Sequence, residues 1–231
     1  MRYPWSSQKY RAQRFAKSSP MCADASFTAA SAGQAACLLT LAVAVLVAAG
    51  IAPPDRLGWL LESLLPAALL VGLGLAWRHW RLSFGAYLAL LILLVIHALG
   101  AHFTYAKVPY EQWLQALTGH TLEGTLGWQR NHYDRLVHCS YGLLMLVPLR
   151  QSLARLTPLR GLWLTAMALS LVLSTSALYE LIEWLGGEYL GDDQAKAFVA
   201  TQADPWDAQK DMALALLGAL LASAVATFRD R

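Results

Sequence analysis

The sequence predicts an all-α membrane protein, a polytopic bundle of about six transmembrane helices with both termini in the cytoplasm. Three observations carry that prediction. Of 231 residues, 57% are hydrophobic and 14% charged, against about 25% charged in a soluble domain. No Asp, Glu, Lys or Arg lies between Asp24 and Asp55, Glu62 and Arg78, Arg81 and Lys107, or Arg160 and Glu180. The basic residues also sort by side when the N-terminus is placed inside. Arg2, Lys9, Arg11, Arg14, Lys17, Arg78, Arg81, Arg150, Arg155, Arg160, Arg229 and Arg231 then lie in the cytoplasm. Only Arg56, Lys107, Arg130 and Lys196 fall in outer loops, with Arg135 and Lys210 at outer helix ends. Inner loops are expected to be the basic ones.

Residues 1–33 read as a basic, disordered cytoplasmic tail, in which Met21 is an alternative start. A transmembrane domain of 34–228 follows, and 229–231 form the cytoplasmic C-terminus. Its spans are expected near 35–52, 58–77, 82–104, 132–149, 161–185 and 207–227, with ends good to a few residues. The first run closes on Ala48-Ala49-Gly50-Ile51-Ala52, which resembles a signal-peptidase site. The tail before it is long for a signal peptide, so the run reads as an uncleaved anchor. Outer loop 105–131 carries Tyr105, Tyr110 and Trp113 and suits the bilayer surface. Outer loop 186–206 is acidic. In the last span Ala215, Ala219 and Ser223 repeat every four residues, as do Gly218, Ala222 and Ala226. Small residues at that spacing let helices approach closely in lipid.

Other classes are set aside. The net charge of +3 is spread between apolar segments and gives no nucleic-acid signal. Cys22, Cys37 and Cys139 have neither metal spacing nor a disulfide framework.

Ionisable groups inside spans are costly and mark cavities or bundle interiors. Here they gather: His97 and His102 on the third span, His132, Asp134, Arg135 and His138 on the fourth, Tyr179, Glu180 and Glu183 on the fifth, and Asp204, Asp207, Gln209, Lys210 and Asp211 on the sixth. Spans running outward carry them late and spans running inward carry them early. At 1.5 Å per residue, His97, His138, Glu180 and Asp211 all fall within roughly 10 Å of the outer boundary. Asp134 and His138 share a helix face, as do Glu180 and Glu183. The expectation is a polar pocket open to the outer face, flanked by Trp184 and Trp206. Three explanations compete: a divalent metal site, metal-free acid–base chemistry between close carboxylates, and a structural network of buried ion pairs.

The stretches H-A-L-G-A-H-F-T-Y at 97–105, N-H-Y-D-R-L-V-H at 131–138, Y-E-L-I-E-W at 179–184 and T-Q-A-D-P-W-D-A-Q-K-D-M at 201–212 resemble the YjdF-like bacterial inner-membrane proteins. The resemblance runs from about residue 60 to the end. It implies location and fold for an uncharacterised family, and no activity. A looser similarity is to VanZ-like membrane proteins, linked to teicoplanin resistance. Asp134, Arg135 and His138 match one motif of that family, and Glu180 with Leu181 another, with Glu183 where Gln is usual. Asp211 and Gly218 match a third, with Ala215 where Asn is usual.

The sequence thus points to a multi-pass protein of the bacterial inner membrane and cell envelope, with an outward-facing His/Asp/Glu pocket. The pocket would bind a divalent metal or act on an envelope or lipid-linked ligand. Asp134, His138, Glu180 and Glu183 are the candidate catalytic groups. His97, Arg135, Tyr179, Gln202, Asp204 and Gln209 are candidate ligand contacts, and His138, Glu180, Asp207 and Asp211 candidate metal ligands. The implied partners are the lipid bilayer and a lipid-linked or small polar ligand, with no nucleic acid. The alternatives are a proton-coupled small-molecule transporter and an accessory subunit whose polar layer is only an ion-pair network.

Overall fold

The structure is a computed structural model and describes residues 27–77, 79–190, 202 and 204–229. Residues 1–26, which hold most of the expected tail, Met21 and Cys22, lie outside the described residues, as do Arg78, Lys196 and Arg231. Six long helices form the body: α1 (Ala32–Ala49), α2 (Arg56–Leu75), α3 (Phe84–Phe103), α6 (Tyr133–Leu156), α7 (Gly161–Leu190) and α8 (Asp207–Arg229). Two short helices, α4 (Tyr110–Thr118) and α5 (Leu122–Leu126), follow a 3-10 turn at Tyr105–Lys107 in the loop before α6. Among the described residues β-pairing is limited to one bridge between Ala29 and Ser83.

The helix starts follow from local chemistry. Ser31 opens α1 with a capping box closed by Gln34, Asp55 caps α2 through Leu57 and Gly58 N–H, and Ser83 caps α3 through Ala86 N–H. Such side chains satisfy orphan N–H groups that lipid cannot. The segment before α1 is also held, since Ala30 N–H donates to Leu82 O at 2.9 Å.

Five of the six long helices are long and apolar enough to cross a membrane. The exception by composition is α6, which carries Asp134, Arg135, Arg150 and Arg155. At 24 residues it is about 36 Å long, ample for a bilayer. Of its charges, Asp134 is buried where α6 packs against α3, α7 and α8, Arg135 pairs with Asp204, and Arg150 and Arg155 lie at the other end of the helix. With α6 counted as a crossing, the six long helices match the six spans expected from the sequence.

The tightest contact is between α6 and α8, and glycine explains it. A Cβ on Gly142 would lie 1.7 Å from the Ala215 carbonyl oxygen, and one on Gly218 would lie 2.1 Å from that of Cys139. The backbones touch where the side chains are missing. Ala215 and Ala219 are fully buried in this seam, as small residues at that spacing require. This seam places the start of α6 beside the start of α8.

Candidate functional site

The site begins with a proline. Pro66 lies inside α2 and has no N–H, so the carbonyl four residues earlier, that of Glu62, loses its helical partner. His97 of α3 replaces it, with Nε2 3.0 Å from Glu62 O. A carbonyl only accepts, so Nε2 carries the proton. Nδ1 is then the acceptor for the Tyr105 hydroxyl, 2.5 Å away. Both nitrogens of His97 are engaged within the bundle. The buried Glu62 side chain accepts from the Tyr179 hydroxyl at 2.6 Å, which joins α2 to α7.

Beside this relay lies a cluster of buried acids around one imidazole. Asp134, His138, Glu183 and Asp211 are each 5% exposed or less. His138 Nε2 is 3.6 Å from Asp134 Oδ1 and 3.3 Å from Glu180 Oε1. Two sets of ligand-type atoms converge on it, one with Asp134 and Asp211 and one with Glu180 and Glu183, each within 4.8 Å of one another. Glu180 Oε1 and Asp211 Oδ1 have no hydrogen-bond partner although both are buried. Each such orphan costs about 1–3 kcal/mol or more when charged. Among the described residues no Lys or Arg pairs with any of these acids.

One turn further out, each carboxylate has a basic partner. Asp207 accepts from Arg130 at 2.8 Å and lies 3.5 Å from Arg135. Asp204 is 2.5 Å from Arg135 and 2.6 Å from Lys210. The Lys210 ammonium, helped by the Trp206 backbone N–H, holds the Asp204 carboxyl down at about 2. His132, whose ring lies tilted against that of Trp128 with centroids 4.3 Å apart, has its pKa lowered by burial and by Arg135 and Arg130. Gln202 uses both ends of its amide on the Asn131 backbone, at 2.9 and 2.8 Å. Asn131 in turn donates to Val108 O. These contacts tie the loop before α6 to the start of α8 and form a cap.

The residues expected to converge therefore divide. Asp134, His138, Glu180, Glu183 and Asp211 lie together, with Tyr179 at their edge. Asp207, expected among the metal ligands, sits with the arginines of the cap. Arg135, Asp204 and Gln202 also belong to the cap. Gln209 is exposed on another side of α8, since positions two apart do not share a helix face. His102 turns to α1, where Nδ1 donates to Ala49 O at 2.9 Å. The expected outward-open pocket is, among the described residues, a buried layer under an ion-pair cap. Trp184 and Trp206 do not cover it, being 60% and 63% exposed. Glu62 and Arg130 were not anticipated. The signal for Glu62 was its place early in a span running inward, the same rule that selected Asp134 and Asp211.

A cavity of about 280 Å³ reaches the layer from within the bundle, lined by α2, α3, α6 and α7. A separate cleft of about 700 Å³ lies along α6 and α8, lined by Tyr110, Trp128, Arg135, Leu136, Lys210 and Leu214.

Comparison with known proteins places these features on a familiar chain. The sequence profile of a family described as predicted membrane protein (DUF2238) matches residues 34–231. The chain is 39% identical to the inner membrane protein YjdF of Escherichia coli K12 over 184 residues, covering 79% of this chain and 83% of that protein. No solved structure matches.

Proposed function

The chain belongs to the DUF2238 family of predicted membrane proteins, and from that premise we propose that its buried acidic layer is a divalent metal site in a multi-pass inner-membrane protein. His138 would be the shared ligand, with Asp134 and Asp211 on one side and Glu180 and Glu183 on the other.

One observation carries the reading. Ligands about 2.1 Å from a tetrahedral ion stand about 3.4 Å from one another. The His138 imidazole nitrogen stands 3.3 Å from a Glu180 oxygen and 3.6 Å from an Asp134 oxygen. The 3.3 Å pair is not aligned as a hydrogen bond, since Glu180 Oε1 has no such partner. Each pair is one edge of a separate three-residue set, His138 with Asp134 and Asp211 or His138 with Glu180 and Glu183, whose ligand-type atoms lie within 4.8 Å of one another. An imidazole with carboxylates suits zinc, manganese or iron. A cation would also sit among carboxylates that, in the described residues, no Lys or Arg meets in a direct ion pair.

A bound metal would act as a Lewis acid on an oxygen-bearing ligand. The chain's own groups would hold and orient that ligand: the Tyr179 hydroxyl at the layer's edge and whichever carboxylates are not ligands. The structural alternative draws its support from the cap, where Arg130, Arg135 and Lys210 match Asp204 and Asp207. It has no counterpart in the layer.

The test is metal content by mass spectrometry on untagged, purified protein equilibrated with zinc, manganese and iron. The wild type should carry close to one equivalent. A His138→Ala, Glu180→Ala double variant that still elutes as a folded species should carry none. A folded wild type without metal would defeat the proposal.

A further inference from the structure

The inner cavity suggests what the site acts on. Its wall is apolar along most of its length, through Pro66, Leu69, Leu94 and Met145, and polar at one end, through Asp134 and His138. Met145 lies seven residues after His138 on α6, so the cavity runs roughly 10 Å from the polar layer towards the membrane centre. Its volume of about 280 Å³ lies at the low end for small-molecule sites, about 300–1,000 Å³. That is room for one slender chain.

The way in is sideways. Leu65, Leu69 and Thr175 line the cavity and are themselves exposed on the outside of α2 and α7. Among the described residues, the side-chain hydrogen bond joining those two helices is Tyr179 to Glu62, at the outer end of the gap. Below it the gap faces the lipid tails. Above the layer, the cap of Arg130, Arg135, Asp204 and Asp207 closes the direct path from outside. A water-borne ligand has no need of this apolar slot. A membrane amphiphile does, because its chain can leave the lipid for the slot while its head comes up against the layer.

We propose that this cavity takes a single-chain amphiphile from the outer leaflet through the gap between α2 and α7, setting its oxygen-bearing head beside Asp134 and His138. The proposal rests on the metal reading for the role of the head and on the cavity alone for the chain. Apolar walls with a few convergent polar groups at one end are the usual form of such sites. The chain fills a space that would otherwise lack packing partners, and the head lies where spare carboxylate and imidazole atoms converge.

The experiment uses full-length protein in phospholipid vesicles doped with palmitate that carries a diazirine on its chain. After illumination, labelled peptides are mapped and metal content is read on the same samples. Labelling is expected at Leu69, Leu94 and Met145. Met145→Trp, which fills the slot, should reduce labelling at Leu69 and Leu94 several-fold. Val71→Trp on the exposed side of α2 should leave it unchanged. Chelated protein should still label at Leu94 but lose its metal, separating failure of the metal reading from failure of this one. Labelling spread evenly over exposed Val71, Leu75 and Leu181, and unchanged by Met145→Trp, would overturn the proposal.

Discussion

The cap and the layer both hold carboxylates, about one helical turn apart, and differ in how their charges are met. In the cap, Arg130, Arg135 and Lys210 face Asp204 and Asp207, and each acid has a cation within 2.8 Å. In the layer, Glu62, Asp134, Glu180, Glu183 and Asp211 lie with imidazoles and a tyrosine hydroxyl, and among the described residues two of their carboxylate oxygens have no hydrogen-bond partner. A matched network explains itself as structure. An unmatched one, buried in a low-dielectric interior, is costly unless something else compensates it, and a bound metal is the compensation we propose.

The largest expected effect breaks both regions at once. Gly142→Val drives a side chain into the Ala215 backbone and forces α6 from α8. Overpacking of this kind costs about 3 kcal/mol at its upper end. Thermal unfolding in detergent should show a markedly lower midpoint, and metal binding should disappear along with the ion pairs of the cap. The next pair of substitutions separates the regions. Asp207→Asn strips Arg130 and Arg135 of a charged acceptor and should destabilise the protein by about 2 kcal/mol. Asp211→Asn removes one like charge from the layer and should leave the metal-free protein as stable as before. It should still weaken metal affinity by more than the roughly 10–100-fold that loss of a supporting group costs. Equal destabilisation by both, read from melting midpoints, would erase the distinction. The smallest effect concerns pH. Asp204 has a lowered pKa in the folded protein, so its contribution is complete above the unfolded value of about 4. It is lost as pH falls from there through about 2. The stability difference between wild type and Asp204→Asn should therefore be flat from pH 8 to about 4 and shrink below it.

Most of the fold was legible in the sequence because lipid imposes one rule on every span. Charge-free runs marked α1, α2, α3 and α7, and the small residues of α8 announced a close approach between helices. The helix least apolar by composition, α6, is expected near 132–149 and runs over Tyr133–Leu156. The layer was legible in part. Asp134, His138, Glu180, Glu183 and Asp211 followed from helix direction and depth. What periodicity could not show was pairing across helices. Asp207 and Asp211 share one stripe of α8, yet Arg130 from the preceding loop claims the first and leaves the second. Glu62 was hidden because, one residue from a long apolar run, it reads as a boundary marker.

Pro66 has a consequence for how the bundle is assembled. A span leaving the translocon normally has every backbone group satisfied before it meets a neighbour. The helix α2 does not, because its Glu62 carbonyl stays bare until the His97 imidazole arrives. In hydrocarbon that vacancy is worth several kcal/mol. Insertion of α2 and its docking on α3 are therefore coupled, and the nascent chain has a reason to keep these two spans side by side from the start.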